Sequence, residues 1–146
     1  MKTHINDDFV NKFRLKDLLI KQTGSWIISL RPQQPTLGSL VLTLNRNSKT
    51  LAELSEQEGR ELSYAFKDVE AILRKTLNPD KINYLSLMMV DNQVHFHVIP
   101  RFKENRSFND VVFVDDAWPK PPVLDPLEIR EEDLHQLLQF LKSKSL

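Results

Sequence analysis

Two apolar runs separated by only two residues constrain the fold of this chain more than any other feature. Residues 82–90 (INYLSLMMV) and 93–101 (QVHFHVIPR) have the composition of β-strands, and only Asp91 and Asn92 lie between them. A connection this short can form a hairpin turn, whereas parallel strands need a crossover of a dozen or more residues. We therefore predict an antiparallel strand pair with Asp91-Asn92 as its turn.

The order of the other segments predicts an α+β domain. The clearest helix covers 54–77, where Ser55 and Glu58 have the spacing of a capping box. Residues 102–128 contain prolines at 119, 121, 122 and 126, which favours an irregular segment. Adjacent antiparallel strands with helices on one face favour α+β over a doubly wound parallel sheet. The remaining segments are predicted as helices at 8–22 and 131–144 and as strands at 26–31 and 39–45.

Composition excludes several classes of function. The chain has 146 residues, which is the size of one domain, and its 20 Lys and Arg balance its 20 Asp and Glu. A protein that binds long nucleic acid usually carries a basic excess, so we expect no such partner. The absence of cysteine excludes disulfides, zinc–thiolate sites and cysteine nucleophiles. No apolar run approaches the ~20 residues that span a bilayer, and the N-terminus lacks a signal-peptide core. We expect a soluble, cytoplasmic protein without a membrane partner.

His95 and His97 lie one residue apart in the second run, so a strand presents both side chains on one face. With Asp91-Asn92 as the turn, Met88 would pair with His95 and Ser86 with His97. The mixed histidine face would suit the floor of a site open to a ligand. The opposite face would pack against the helices. The histidine face would also carry Gln93, Met88, Ser86 and Tyr84, and the opposite face Leu85, Leu87, Met89, Val94, Phe96 and Val98.

Three interpretations of this histidine pair remain open from the residues alone. The first is a pair of hydrogen-bonded structural histidines within a sheet. The second is a metal site, which would need a third ligand such as Glu104 or an aspartate. The third is nucleophilic or acid–base chemistry on a phosphate, in which a neutral imidazole acts beside a cationic one.

The stretch QVHFHVIPRF (93–102) resembles the signature of the histidine triad (HIT) superfamily, His-φ-His-φ-His followed by apolar residues and often Pro-Arg. LGSLVLTLNR (37–46) is similar to the family's earlier Gly-His strand, and FVDDAWPKPP (113–122) resembles the tail of a less-studied branch. The similarity covers about residues 25–103 of a single domain, 1–146. The N-terminal helix, the proline-rich tail and the C-terminal helix are then additions to this core.

This resemblance implies an antiparallel sheet of about five strands with helices packed on one face, and a homodimer. His95 matches the middle histidine, which in the family attacks the α-phosphorus of a nucleotide. His97 matches the third, which contacts the phosphate or the leaving-group oxygen. For His95 to attack with one ring nitrogen, the other must carry the proton, and a backbone carbonyl is the expected acceptor. No cofactor is implied, although a divalent cation could enter with the substrate phosphates.

The chain departs from the family pattern at two histidine positions. Gln93 occupies the first triad position, and Gly38-Ser39 replaces the Gly-His pair, so we expect both changes at one site as a coupled alteration of its polar network. The family's glycine-rich loop is reduced to Asp91-Asn92. Asn92 and Gln93 are candidate replacement donors to phosphate, and Ser39 is a further candidate contact. Losing phosphate donors without replacement would cost a few kcal/mol of transition-state stabilisation.

Two arginines are further candidates for substrate binding. Arg31 stands where typical members place a nucleotide-contacting asparagine, and Arg101 follows the Pro of the motif, where a structural salt bridge is the alternative. Trp26 and Ile28 share a strand face and are predicted as core residues rather than an adenine pocket. Trp118 is expected either to anchor the tail or to close over a ligand or a second subunit.

The resemblance implies a hydrolase or transferase for an adenine-type nucleotide, with a covalent intermediate on His95. Dinucleoside polyphosphates and nucleoside phosphoramidates are the substrate classes of that family. A different class of function stays open, namely a nucleotide-binding or protein-interaction module that has kept the scaffold without turnover.

Overall fold

In the residues that the structure describes, a five-stranded antiparallel sheet and three α-helices form the body of the protein. The computed structural model describes residues 1–125 and 127–144. The strand order is β1-β2-β3-β5-β4, and every neighbouring pair is antiparallel. The α+β class and the five-stranded sheet predicted above are therefore confirmed. In chain order the elements are α1 (Asp7–Phe13), β1 (Leu19–Thr23), β2 (Trp26–Leu30), β3 (Leu40–Leu44), α2 (Glu56–Thr76), β4 (Lys81–Leu85), β5 (His95–Arg101), β6 (Arg106–Phe108), β7 (Val111–Phe113) and α3 (Glu131–Lys142).

The central strands β2 and β3 are buried on both faces. On one face, alternate residues such as Trp26 and Ile28 join the main core beneath α2 and α3. On the other face, Ile27 and Val41 pack with Phe9 and Phe13 of the short helix α1. The two long helices therefore share one face, as predicted, while α1 covers part of the opposite face, the one that carries the histidines.

Helix α2 begins where the sequence predicts. Ser55 is the N-cap, and both halves of its capping box with Glu58 are present. Arg46 from the segment after β3 donates two hydrogen bonds of 2.8 Å to the Glu58 carboxylate. This cation, with the Ser55 N–H, holds the pKa of Glu58 down at about 2. The cap thus fastens the start of α2 to the end of β3.

The prediction of one helix over 8–22 is wrong beyond residue 13. Arg14 takes a left-handed conformation with φ 53°, and the Leu15 N–H reaches back to the Val10 carbonyl, which closes the helix in a Schellman-like end. The apolar run that follows is instead an edge strand between two cores. Leu18 and Ile20 enter the main core and Leu19 packs on the α1 side, an alternation that only a strand produces.

The predicted tight hairpin of β4 and β5 is also wrong in register. Leu85 pairs with His97, whereas the two-residue turn would have paired Ser86 with it. A shift of one residue exchanges the faces of a strand. Tyr84 consequently lies on the helix face, with its ring 4.8 Å from that of Phe66 and its hydroxyl 3.2 Å from Glu70 of α2.

The physical reason for this register lies in residues 93 and 94, which bond to the end of β3 instead of to β4. The Val94 N–H donates to Ser48, and its carbonyl accepts from the Leu44 N–H. Residues 86–94 are thereby left as an irregular loop between the strands. We call residues 86–92 the β4–β5 loop.

The segment after β5 is mostly irregular, as predicted, but contains a small hairpin of β6 and β7 that its pattern did not reveal. The guanidinium of Arg101 bonds to Asp115, and both side chains are only 4% exposed. This buried ion pair attaches the tail to the end of β5. Trp118 is half-buried beside β4, and Pro126 lies outside the described residues. None of the described helices combines the length and hydropathy that a bilayer-spanning helix requires.

Candidate active site

A cavity of about 400 Å³ lies on the sheet face that carries the histidines. Helix α1, the segment after β2 and the β4–β5 loop form its walls, and β5 forms its floor. The residues that line it include Lys12, Phe13, Arg31, Asp91, His95 and His97. We call this space the histidine cavity.

His95 has a defined tautomer because of one hydrogen bond. Its Nδ1 lies 2.5 Å from the backbone carbonyl of Gln93. A carbonyl oxygen can only accept, so Nδ1 carries the proton and Nε2 keeps its lone pair. Burial lowers the pKa of His95, whose ring also packs against Phe9 and Phe13. His95 is thus a neutral imidazole with a free basic nitrogen, the arrangement expected of a nucleophile.

His97 is neutral as well. Burial lowers its pKa from 6.5 to about 4, and the nearby His95 and Arg31 act in the same direction. Its Nδ1 is buried without a hydrogen-bond partner in the described structure. The hypothesis of a neutral imidazole beside a cationic one is therefore not supported for the free protein, because burial disfavours the protonated form of both rings.

These lowered pKa values predict a loss of stability in acid. Between pH 6.5 and about 4 the unfolded chain binds a proton at His97 that the folded protein does not. The free energy of unfolding should therefore have its full value above pH 6.5 and decrease as the pH falls towards 4. Urea midpoints across this range would measure the decline, which should be smaller in His97→Asn. The exposed His135→Asn is the matched control, and an equal reduction in both variants would contradict the assignment.

Arg31 supplies the positive charge of the cavity. Its Nη1 donates to the Gln33 carbonyl at 3.1 Å, while its buried Nε has no partner. None of the ion pairs in the described part of the chain includes Arg31. Burial lowers its pKa, yet a guanidinium remains charged. A buried cation without a carboxylate is costly, so the cavity favours an anionic ligand.

Gln93 does not face the histidine cavity. Its side-chain amide donates to the carbonyls of Leu44 (2.9 Å) and Arg46 (2.8 Å), and its Oε1 accepts from the Ser48 N–H. These bonds hold Gln93 against the end of β3, and its own carbonyl in turn orients His95. The Gln93 side chain therefore holds in place the backbone carbonyl that bonds to His95, and it is not an exposed donor to a substrate.

Ser39 and Gln93 do not form the coupled pair expected from the sequence. Ser39 is fully buried at the start of β3, where its hydroxyl bonds to Thr36. Gln93 is bonded at the other end of that strand. The two departures from the family pattern thus lie at separate places, because β3 runs its full length between them.

The other predicted residues divide between the cavity and its surroundings. Arg31 lines the cavity with the histidines, while Asn92 and Gln93 line an adjoining space. Arg101 is engaged by Asp115, Asn83 and the Lys120 carbonyl, the structural alternative foreseen for it. Trp26 and Ile28 are core residues, as predicted.

Sequence reasoning missed the contribution of α1. Lys12 bonds to Asp91 at 2.7 Å, which links the helix to the β4–β5 loop over the cavity. Phe13 forms part of the cavity wall. The i, i+4 pair of Phe9 and Phe13 indicated a buried helix face, but no local signal indicated which sheet face it would cover.

A metal site at the histidine pair gains no support from the side chains nearby. In residues 1–125 and 127–144, the only three potential ligands close enough to share an ion are Asp17, Glu131 and His135. Arg14 already bonds to both carboxylates of that group. Glu104 follows the end of β5 that lies away from His95.

Comparison with known proteins identifies the fold. Neither the family models nor the curated proteins searched contain a match. Among solved structures, a histidine triad protein from Sinorhizobium meliloti 1021 superposes with a TM-score of 0.75 at 21% identity, over 98% of this chain and 97% of that one.

Two further structures are similar. A histidine triad protein from Bradyrhizobium japonicum gives a TM-score of 0.74 at 17% identity over 100% of both chains. The diadenosine triphosphate hydrolase of Plasmodium falciparum gives 0.60 at 16% identity, over 88% of this chain and 76% of that one. The chain has the fold of the histidine triad proteins.

Proposed function

We propose that this protein is a hydrolase or transferase acting at the α-phosphate of an adenine-type nucleotide, through a covalent intermediate on His95. The observation that carries the proposal is the hydrogen bond from His95 Nδ1 to the Gln93 carbonyl, which leaves Nε2 as the free nucleophile. The unpaired guanidinium of Arg31 in the same cavity supports an anionic substrate. The fold is shared with a diadenosine triphosphate hydrolase.

The reaction has two displacements at phosphorus. His95 Nε2 bonds to the α-phosphorus as the bond to the leaving group breaks, and the leaving group takes a proton from solvent. Water then attacks the phosphorus of the nucleotidyl-histidine as the phosphorus–nitrogen bond breaks, which restores neutral His95, releases the nucleoside monophosphate and returns one proton to solvent. A covalent intermediate divides one difficult displacement at phosphorus into two easier ones. Arg31 would offset the charge of the phosphate oxygens, and His97 would contact the phosphate or the departing atom.

The test is AMP release from diadenosine polyphosphates and an adenosine phosphoramidate, together with the mass of the intact protein. Reactions are quenched in alkaline denaturant, since phosphorus–nitrogen bonds are labile in acid. We expect AMP, and a nucleotidyl adduct that maps to His95. A folded protein that releases no AMP from any substrate of the panel would overturn the proposal.

A specific observation favours the second candidate, a nucleotide-binding module without turnover. The β4–β5 loop contains no glycine, and Met89 and Val90 at its tip are 85% and 89% exposed. Apolar side chains thus occupy the segment where phosphate donors would be useful. Nucleotide binding measured by calorimetry without any covalent adduct would identify this function instead.

Gln93→Met should separate an anchoring role from a role in substrate binding. Without the amide, the carbonyls of Leu44 and Arg46 lose a donor, which should cost about 1–3 kcal/mol of stability. A displaced Gln93 carbonyl should lower kcat by roughly tenfold or more. KM should change little, because the side chain bonds only to the backbone. A raised KM with unchanged kcat would instead make Gln93 a substrate contact.

We also propose that the protein is a homodimer. Strand β4 forms one edge of the sheet, and an unpaired edge is a template for a strand of a second chain. Static light scattering should give twice the 17.1 kDa of one chain. The mass of a single chain over a wide concentration range would contradict the dimer.

A further inference from the structure

The histidine cavity holds one buried cation that no carboxylate balances. Arg31 is only 9% exposed, and the Nε of its guanidinium has no hydrogen-bond partner within the described ranges. Among the described residues that line the cavity, Asp91 is the only acid, and it is bonded to Lys12 at 2.7 Å. Because a buried charge without a partner is costly, the Arg31 guanidinium indicates an anionic group on the ligand itself.

Arg31 and the two histidines lie at successive levels of the sheet. The levels are given by alternate residues at and along β3, where Ser39 accepts from the Arg31 N–H, Val41 pairs with His97 and Thr43 pairs with His95. Successive levels are two residues apart, which is about 7 Å along a strand. The backbone of Arg31 therefore lies on the far side of His97 from His95.

The influence of the charged side chains on the histidines follows the same order. Burial is the main cause of the lowered pKa of both rings, and neighbouring charges modify it. The pKa of His95 responds more to Lys12 and Asp91 than to Arg31. The pKa of His97 responds more to Arg31 than to either of those two residues. We call the side of the cavity formed by Lys12 and Asp91 the Lys12 end, and the side formed by residues 31–33 the Arg31 end.

The two ends differ in their access to solvent. At the Lys12 end, the Lys12 side chain is 51% exposed, and Val90 of the β4–β5 loop is 89% exposed. A leaving group can depart there, because water already screens the ion pair that it would displace. The Arg31 end is buried, so it suits the half of the substrate that stays bonded to His95 in the covalent intermediate. The unpaired guanidinium is therefore available to the nucleotidyl half and not to the leaving group.

An ordinary adenine nucleotide offers little to such a cation beyond its α-phosphate, since its ribose and its base are neutral. A phosphate ester on the ribose would supply the missing anion, and a guanidinium binds phosphate through two parallel N–H···O bonds. The ribose ring would hold this second phosphate apart from the α-phosphate, as the separation of Arg31 from His95 requires. A β-phosphate is bonded to the α-phosphate through a single oxygen and lies on the leaving-group side.

We propose that the Arg31 end binds a second phosphate carried on the ribose, so that the preferred substrates are adenine nucleotides phosphorylated at the 2′ or 3′ oxygen. This inference rests on the proposed function, which brings the α-phosphate to His95. The positive charge of Arg31 still offsets the α-phosphate at longer range, while its Nε donates to the ribose phosphate. The ribose phosphate takes no part in the bonds that form and break at the α-phosphorus.

Calorimetry with four nucleotides tests the phosphate site without requiring turnover. The ligands are AMP, ADP, adenosine 2′,5′-bisphosphate and adenosine 3′,5′-bisphosphate. We expect one bisphosphate to bind at least roughly tenfold more tightly than AMP, because it gains charge-assisted hydrogen bonds to a buried guanidinium. The tighter isomer identifies the position on the ribose. ADP is the control for added charge alone, and a gain for ADP as large as that of the better bisphosphate would overturn the inference.

Variants of Arg31 assign the preference to its side chain. Arg31→Met should bring the ratio of the AMP and bisphosphate dissociation constants close to one. Arg31→Lys keeps the charge but not the paired donors, so its ratio should be intermediate. Lys12→Met is the matched control, because it removes a cation from the other end of the same cavity and should leave the ratio as it is in the native protein. An equal loss of preference in Lys12→Met and Arg31→Met would contradict the assignment.

The phosphate site and the proposed function can fail separately. If the native protein releases AMP but binds all four ligands equally, the phosphate site is overturned and the chemistry of His95 stands. If a bisphosphate is preferred but no substrate, with or without a ribose phosphate, gives turnover or an adduct on His95, the hydrolase is overturned and the phosphate site stands. A folded protein that binds none of the four nucleotides would overturn both.

Discussion

His95→Ala should lower the rate of AMP release by roughly 10⁴-fold or more, because the substitution removes the atom that bonds to phosphorus. No other described side chain in the cavity can replace it directly. Lys12 is paired with Asp91, and the free nitrogen of His97 belongs to a ring with a different orientation, at 84° to that of His95. Single-turnover kinetics with saturating substrate would measure the loss at the chemical step.

Two controls keep this result interpretable. His135→Ala, on α3, changes an exposed histidine bonded to Glu131 and should retain the native rate. His95→Gly should lose activity in the same way but regain part of it when free imidazole is added, since the small molecule can occupy the vacated volume. Release that persists in a folded His95→Ala variant would show that another group attacks the phosphorus.

Asp115→Ala should cost about 3–5 kcal/mol of folding free energy, the largest effect on stability that we expect from a single substitution. The carboxylate is the ion-pair partner of Arg101 and also accepts from the Phe102 N–H at 3.2 Å. Its removal leaves a buried guanidinium without a counter-charge. Equilibrium unfolding in urea, monitored by the two tryptophans, would measure the change.

The exposed ion pair of Arg74 and Glu70 provides the comparison. The Arg74 side chain is 65% exposed, so Arg74→Ala should cost no more than about 1 kcal/mol. Neither Arg101 nor Asp115 lines the histidine cavity, so Asp115→Ala should keep the native kcat under conditions where it stays folded. A loss below about 1 kcal/mol for Asp115→Ala would mean that water reaches Arg101 and that the tail contributes little to stability.

Predictions from sequence succeeded where the signal is local. The capping box at Ser55 and Glu58 was visible as a spacing of three residues, and both of its hydrogen bonds are present. Strands β2 and β3 were visible as short apolar runs. The run at 18–20 was assigned wrongly because a short continuous apolar run is compatible with a buried helix segment as well as with a strand that lies between two cores.

The register of β4 and β5 could not be predicted because a distant strand decides it. The assignment of Asp91-Asn92 as a tight turn considered only those two runs. In the folded chain, Gln93 bonds to Leu44 and Arg46, which lie more than 40 positions earlier. These bonds take residues 93 and 94 away from β4, and Tyr84 consequently exchanges faces.

The sequence by itself determined that His95 and His97 share one face, because strand side chains alternate whatever surrounds them. Only the tertiary structure decided their chemistry. Burial under α1 makes both rings neutral, the Gln93 carbonyl selects the tautomer of His95, and the arrangement of the chain brings Arg31 and Lys12 to the same cavity. Protonation depends on solvent exposure and neighbouring charge, and these arise from contacts between residues as far apart as Lys12 and Asp91.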